Sequence, residues 1–151
     1  MKFVLQRVLK AKVFIDNQLY SKIGKGILVL IGIEVNDSKS QLDYYVKKIL
    51  NMRIFNDNKG RMNYSLLDIK GQILVVSQFT LSANTKKGNR PSYIQAADPH
   101  FAHSIYNQFI EKLKVYEINV EKGRFGAHME LDCINDGPVT ILLGENNAKK
   151  N

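Results

Sequence analysis

Short apolar segments with a two-residue period constrain the fold of this chain more than any other feature. Side chains of a β-strand alternate between two faces, so this period is typical of a strand with one buried face. Such segments, together with short continuous apolar runs, cover residues 2–9, 11–16, 18–23, 27–34, 72–81, 115–121, 124–134 and 138–143. Helical spacing occurs only at 38–52 and 98–114, the second opening with Asp98 as N-cap. We therefore predict an α+β fold whose antiparallel or mixed sheet curls into a barrel-like shape beside two main helices.

The length and composition predict one ordinary globular domain spanning residues 1–151. Apolar residues make up 44% of the chain and charged residues 24%, which is enough of each for a packed core and a solvated surface. Cys133 is the single cysteine, so no internal disulfide can form and a reducing compartment, the cytoplasm, is expected. No apolar run approaches the ~20 residues of a membrane span, and the N-terminus meets charged residues too early for a signal peptide.

The charge balance favours an anionic partner. Lys and Arg number 22 against 14 Asp and Glu, for a net charge of +8. Basic residues cluster at Lys86, Lys87 and Arg90 and again at Lys149-Lys150, and such groups suit the phosphates of a nucleic acid. The alternative is that these basic groups are a solvated surface that binds nothing in particular.

Arg7 interrupts an apolar row. With a two-residue period it shares a face with Phe3, Leu5 and Leu9. A buried guanidinium needs acceptors, because burying an unpaired charge is prohibitive. The residues alone leave two interpretations open: an edge-strand side chain that extends to solvent, or an arginine that holds backbone carbonyls at a functional wall.

Three further segments combine polar and apolar residues in an informative way. Ser77-Gln78-Phe79-Thr80 ends an apolar strand with polar groups, which could line a site or merely begin a turn. Asn135 to Thr140 contains Gly137-Pro138 and predicts a turn before a strand. Along 124–134 the alternation predicts a strand with Phe125, Ala127, Met129, Leu131 and Cys133 on its core face.

Together, the first two of these segments resemble the signature motifs of the D-aminoacyl-tRNA deacylase family. The motifs are Ser77-Gln78-Phe79-Thr80-Leu81 and Asn135-Asp136-Gly137-Pro138-Val139-Thr140, in that order. The similarity extends over nearly the whole chain, through the opening 1–8 with Arg7, Gly24-Lys25-Gly26, Arg53-Ile54-Phe55, Lys87 to Ser92, and Phe125 to Met129.

The resemblance implies a hydrolase that cleaves the ester bond of D-aminoacyl-tRNA and releases a free D-amino acid and tRNA. It implies rejection of L-aminoacyl-tRNA, acceptance of glycyl-tRNA such as glycine mischarged on tRNA-Ala, and a homodimer of barrel-like subunits. The catalytic residues would be Ser77, Gln78, Phe79 and Thr80, and the substrate-binding residues Gly137, Pro138, Arg7, Phe125 and Met129.

In that family the Gly-Pro pair is cis and reaches into the partner subunit's pocket, and the arginine matching Arg7 holds its loop. Backbone amides near Phe79 and Thr80 would stabilise the oxyanion, and the terminal ribose 2′-hydroxyl of the tRNA would assist the attack. Lys86, Lys87 and Arg90 would contact tRNA phosphates near the acceptor end. No cofactor, metal, DNA or membrane partner is expected.

Other functions are less well supported by the residues. A non-catalytic RNA-binding module is suggested by Lys122-Gly123-Arg124-Phe125-Gly126-Ala127, which is similar to an RNP1 motif, but no matching aromatic strand lies near the N-terminus. Gly24-Lys25-Gly26 leads into a strand, whereas a dinucleotide site needs a helix there. His100, His103 and His128 are read as surface or cap residues, not as a metal site.

Overall fold

The computed structural model describes residues 1–144, so the predicted Lys149-Lys150 contact lies outside the described residues. The strands are β1 (Lys2–Ile15), β2 (Gln18–Ile23), β3 (Gly26–Gly32), β4 (Phe55–Asn56), β5 (Met62–Tyr64), β6 (Gln72–Ser77), β7 (Val120–Lys122) and β8 (Glu130–Gly144). The helices are α1 (Leu42–Asn51) and α2 (Pro99–Lys114), and short 3₁₀ turns cover Lys39–Gln41 and Phe79–Ser82.

The main sheet is mixed and nearly closed. Its order is β2-β1-β3-β6-β7, and β8 pairs with β1 as well. β1 is antiparallel to β2, β3 and β8, whereas β3 with β6 and β6 with β7 are parallel. The end strands β2 and β7 meet where the Ser21 hydroxyl donates to the Lys122 carbonyl at 2.9 Å, and just after β2 the Gly24 amide donates to Gln72 Oε1 of β6 at 2.6 Å. The prediction of an α+β fold with a mixed, barrel-like sheet and two helices is confirmed.

The core has two layers, one on each face of the central strands β3 and β6. Alternate residues of these strands, such as Val29 and Val75, pack against α1 and α2. The residues between them, such as Leu28 and Leu74, pack inside the curled sheet. Since burying each such side chain contributes roughly 1.5–3 kcal/mol, both layers stabilise β3 and β6 strongly and hold the ends of these strands in place.

The helices form close to where their spacing predicts them. Asp98 Oδ1 accepts from the amides of His100 and Phe101, both at 3.1 Å, and Pro99 occupies the first turn of α2. The predicted helix 38–52 is shorter in the structure. Ser38 and Gln41 form a capping box around a 3₁₀ turn, and α1 begins only at Leu42.

Several predicted strands have different bounds. Segments 2–9 and 11–16 form one strand, and 115–121 supplies only the short β7. The prediction of a strand over 72–81 is wrong beyond Ser77, where a 3₁₀ turn follows. The strand predicted over 124–134 begins only at Glu130, because Gly126, at φ +76°, turns the chain just before it. The small β4–β5 hairpin was not predicted, since two strands this short show no measurable period.

The predicted face of Leu9 is also wrong. Phe3, Leu5 and Arg7 share a buried face, but Leu9 is 50% exposed. The pairing of β1 with β8 shifts register on both sides of Val8, and the burial pattern of β1 shifts with it. A one-residue shift moves every later side chain to the opposite face, which a regular two-residue period cannot anticipate.

Candidate active site

A cavity of ≈ 490 Å³ lies where the parallel strands β3 and β6 end. One wall is the end of β6, from Val76 through Ser77 and Gln78 to Phe79. The opposite wall is the segment Phe125–Met129 with Leu131, and Pro99 and Ala102 of α2 close one side. The carboxyl ends of parallel strands commonly hold ligand sites, because chains diverge there and leave a crevice.

The cavity brings together five of the residues predicted from the sequence. Ser77, Gln78 and Phe79 of the catalytic set and Phe125 and Met129 of the substrate-binding set all line it. Phe125 does so from a turn and Met129 from the irregular stretch before β8, and not from the strand predicted for them.

Thr80, the fourth residue of the predicted catalytic set, does not line the cavity but directly follows Phe79, which does. It is exposed, and its hydroxyl oxygen accepts a hydrogen bond from Gln78 Nε2. The Gln78 amide donates to the Ile31 carbonyl at 2.8 Å, which fixes the point where β6 becomes a 3₁₀ turn. The amides of Phe79 and Thr80 open that turn, where an amide has no preceding turn to donate to. The local chain therefore presents two main-chain donors beside the cavity.

An exposed aromatic pair marks the rim of the cavity. Phe79 is 59% exposed, and its ring meets that of Tyr93 edge-on with the ring centroids 5.1 Å apart. Sequence reasoning did not select Tyr93, because a single tyrosine in an irregular loop has no periodic or motif signal. Pro99 and Ala102 were likewise missed, since helix spacing predicted them only as part of α2.

Tyr106 connects the two main walls. Its hydroxyl lies 2.8 Å from the Val75 carbonyl oxygen and 3.2 Å from the Gly123 carbonyl oxygen, and its one proton is shared between these two acceptors. Burial, and secondarily the nearby Tyr20, raises the pKa of Tyr106 far above its ordinary value, so the hydroxyl stays protonated. Sequence reasoning missed this residue as well, because its position on the core face of α2 gives it the pattern of an ordinary core residue.

Arg7 is buried, at 6% exposure, and donates to two distant stretches of backbone. Nη1 donates to the Ile54 carbonyl at 2.6 Å, and Nε donates to the Asp136 carbonyl at 2.9 Å. Nη1 also lies 3.3 Å from Asn56 Oδ1, and Nε lies 3.3 Å from Asp136 Oδ2. The side chain therefore holds carbonyls and does not extend to solvent.

The loop that Arg7 holds is a bulge in β8. Gln6 pairs with Thr140 and Val8 pairs with Asn135, so residues 136–139 have no partners on β1 and protrude opposite Arg7. The Gly137–Pro138 peptide bond is cis. Gly137 and Pro138 are both exposed, and neither lines the cavity of its own chain. The structure thus separates the predicted site residues into a cavity group and a group around Arg7.

The predicted phosphate contacts lie in an exposed loop. Asn84 and Ser92 close the loop with two backbone hydrogen bonds of 2.8 and 3.0 Å. Within residues 1–144, Lys86, Lys87 and Arg90 form no ion pair that would neutralise them. The loop follows Phe79–Ser82 directly, so its positive charge lies on the part of the chain that leads out of the cavity.

The three histidines do not gather into a ligand set. His103 packs against Phe125 with ring centroids 4.8 Å apart, and His128, although exposed, lines the cavity. Across the described part of the chain, no three His, Cys, Asp or Glu residues are arranged to hold a metal ion. In the same part of the chain, no helix has the length and apolar character needed to cross a membrane.

Comparison with known proteins finds a matching family model and relatives that are about half identical to this chain. The family model described as D-Tyr-tRNA(Tyr) deacylase matches residues 4–144. The D-aminoacyl-tRNA deacylase of Thermosipho melanesiensis is 54% identical over 144 residues, covering 95% of this chain and 96% of that protein. The D-aminoacyl-tRNA deacylase of Azobacteroides pseudotrichonymphae is 53% identical over 150 residues, covering 99% and 100%.

Two solved structures share the fold. The c-Myc DNA Unwinding Element Binding Protein superposes with a TM-score of 0.91 at 43% identity, covering 96% of this chain and 99% of that one. A probable eukaryotic D-amino acid tRNA deacylase superposes with a TM-score of 0.82, covering 94% and 97%, and at 20% identity it supports the fold alone.

Proposed function

This chain belongs to the D-Tyr-tRNA(Tyr) deacylase family, and from that premise we propose that it hydrolyses the ester bond of D-aminoacyl-tRNA. The products are a free D-amino acid and tRNA, and the single domain works in translation quality control in the cytoplasm. The observation that carries the proposal is the convergence of Ser77, Gln78 and Phe79 with Phe125 and Met129 around one cavity. A volume of ≈ 490 Å³ suits an aminoacyl group and its ribose, whereas a helical stem would remain outside.

In the proposed reaction the side chains position the ester and the main chain stabilises charge. Water adds to the carbonyl carbon, the bond to the ribose oxygen breaks, and that oxygen takes up a proton as the tRNA leaves. The amides of Phe79 and Thr80 face the developing oxyanion, and preorganised donors of this kind contribute ~3 kcal/mol each. The terminal 2′-hydroxyl assists the attack, while Ser77, Gln78 and Thr80 orient the groups.

Selection against L-aminoacyl esters needs a rigid obstacle. The two enantiomers differ only in the side of the α-carbon that carries the side chain, so attraction alone separates them poorly. Gly137-Pro138 suits this role, since glycine adds no Cβ and proline restricts the backbone torsion. Arg7 holds the preceding carbonyl and so limits movement of the loop. Glycine has no side chain that could meet this obstacle. Glycyl-tRNA, including glycine mischarged on tRNA-Ala, is therefore a further substrate.

The position of Gly137-Pro138 supports a homodimer. These residues protrude outside the cavity of their own chain, so a second copy is needed to bring them to a cavity. β8, which carries the bulge, also exposes the apolar side chains of Leu131 and Ile134. Leu131 lines the cavity as well, so an interface formed by β8 would lie at the cavity entrance.

Lys86, Lys87 and Arg90 would contact the phosphates of the acceptor end. DNA is the alternative anionic partner, because one relative at 43% identity is named for binding a DNA unwinding element. We favour tRNA, since a duplex has no group that would occupy an apolar cavity of this size. Duplex DNA at equal phosphate concentration should therefore compete weakly with deacylation, whereas strong competition would favour the DNA partner.

A deacylation assay with paired D- and L-tyrosyl-tRNA tests the proposal. We expect free D-tyrosine to be released over many turnovers, with L-tyrosyl-tRNA hydrolysed far more slowly. Stoichiometric binding of both tRNAs without release of amino acid would instead indicate a non-catalytic RNA-binding module. Equal rates for both enantiomers would still support hydrolysis of aminoacyl-tRNA but would contradict selection against L-substrates.

A further inference from the structure

We infer that Tyr106 is a positioning residue that sets the gap between the two main walls of the cavity. Its hydroxyl bridges the Val75 carbonyl at 2.8 Å and the Gly123 carbonyl at 3.2 Å. Val75 directly precedes Val76 and Ser77 of one wall, and Gly123 directly precedes the turn that carries Phe125 to Met129 of the other. One buried hydroxyl therefore joins the bases of both walls.

The two walls approach each other closely at this point. The Gly123 amide donates to the same Val75 carbonyl at 2.9 Å. A Cβ built on Gly123 would lie 2.6 Å from Met129 Sδ and 3.5 Å from Val76 Cγ2, so a larger residue there would have to displace the Met129 side chain. The spacing therefore depends on main-chain contacts and on the tyrosine hydroxyl that bridges them.

The aromatic ring of Tyr106 supports the same wall. Phe125 packs against it with ring centroids 5.7 Å apart, and His103, on the preceding turn of α2, packs against Phe125 as well. On the far side of the segment, the Ser21 hydroxyl donates to the Lys122 carbonyl at 2.9 Å, and Arg124 lies over the Tyr20 ring. These contacts anchor residues 122–125 from the sheet, whereas Tyr106 anchors them from the helix.

The consequence for catalysis rests on the proposed function. An acyl group held between Ser77 and Phe125 is oriented by the distance between their walls. A wider gap leaves the ester bound through its tRNA but poorly aligned, and misalignment of this kind lowers kcat more than it raises KM. It also gives the side chain of an L-amino acid more room, so the preference for D-substrates narrows.

The variant Tyr106→Phe removes the hydroxyl and keeps the ring. We expect kcat on D-tyrosyl-tRNA to fall about tenfold with little change in KM, and the ratio of D to L rates to fall with it. Hydrogen exchange of the amides from Gly123 to Met129 should become faster than in the wild type. Ile105→Val, a buried change on the same helix, is the control for lost stability, and Tyr116→Phe is the control for a tyrosine hydroxyl outside the cavity.

The outcomes separate this inference from the proposed function. If Tyr106→Phe matches Ile105→Val in melting temperature, kcat, D-to-L ratio and exchange, Tyr106 is only a core residue and the inference is overturned. If the wild-type protein releases no D-tyrosine, the proposed function fails, but faster exchange confined to Gly123–Met129 still supports the positioning role. If Tyr106→Phe leaves hydrogen exchange from Gly123 to Met129 unchanged, the positioning role is contradicted, whether or not the wild-type protein releases D-tyrosine.

Discussion

At the scale of single residues, the Arg7 guanidinium links three parts of the chain that are distant in sequence. It donates to the carbonyls of Ile54 and Asp136 from the middle of β1. Burying a guanidinium costs several kcal/mol unless its hydrogens find acceptors, so the loop around Asp136 and the arginine stabilise each other. The bulge in β8 is therefore held in one place although it has no strand partner.

We predict that Gly137→Ala lowers D-aminoacyl-tRNA hydrolysis at least tenfold and destabilises the protein by about 1–3 kcal/mol. Gly137 has φ +129°, and a Cβ there would lie 3.0 Å from both Arg7 Nη2 and Val139 Cγ2. The new methyl group would displace the arginine or the loop. Thermal unfolding and deacylation kinetics measure the two effects.

Gly60→Ala is the matched control for that substitution. Gly60 also has a positive φ, +75°, but its Cβ position has nothing within 4 Å. This control should lose some stability through backbone strain and keep its activity. Equal losses of activity in both variants would indicate a general folding defect and contradict a specific role for the Gly137 loop.

The residues alone predicted that Arg7 needs acceptors but not which ones, whereas the family resemblance indicated the Gly137-Pro138 loop and gave no sign of Ile54. An arginine in an apolar row implies partners whatever the fold. The acceptors are main-chain carbonyls 47 and 129 positions away, and carbonyls are common to every residue. Only the paired register of β1 with β8 and the position of β4 determine which ones Arg7 meets.

At the scale of elements, the segment before β8 shows why a periodic pattern can mislead. Phe125, Ala127 and Met129 alternate with polar residues, as in a strand, yet they lie in a turn and the irregular stretch before β8. They line the cavity and also pack against the core, Phe125 on the helix side and Ala127 and Met129 inside the curled sheet, so an apolar alternation arises here without strand pairing. By contrast, α2 was predicted closely because its N-cap and its apolar face agree.

The loop closed by Asn84 and Ser92 gives a prediction at the same scale. The double variant Lys86→Ala/Lys87→Ala should weaken tRNA binding, because two phosphate contacts would be lost. The slope of log(kcat/KM) against log salt should become shallower by about 1–2. Kinetics on D-tyrosyl-tRNA over a range of salt concentrations measures the slope.

Lys47→Ala/Lys48→Ala removes the same charge from the exposed face of α1 and is the control for net charge. It should leave the slope nearly unchanged. If both double variants flatten the slope equally, the loop has no specific contact and only the overall charge of the protein matters.

At the scale of the whole molecule, the proposed homodimer would bring the cavity group of one copy to the group around Arg7 of the other copy. We predict that the active species sediments at twice the 17.2 kDa of the chain. Analytical ultracentrifugation at assay concentrations measures this mass. A fully active monomer would contradict the shared site.

Mixed subunits provide a sharper test of the same prediction. Ala97→Phe should obstruct the cavity, which Ala97 lines, and Gly137→Ala should displace the loop. Each variant alone should have low activity, but a heterodimer of the two has one intact cavity facing one intact loop. Mixing followed by subunit exchange should therefore restore activity, whereas no restoration would place both groups in the same subunit's site.

The carbonyl contacts of Arg7 also bear on how this protein can diverge. Because the guanidinium binds main-chain oxygens, part of the hold on the bulge does not depend on the side chains at positions 54 and 136, although Asp136 adds an ion pair. A substitution at 136 would remove the ion pair and leave the carbonyl contact in place, whereas Ile54 is also constrained by its burial in the core. The shape of the loop therefore tolerates a change at position 136 better than it would if the ion pair were the sole contact with the arginine.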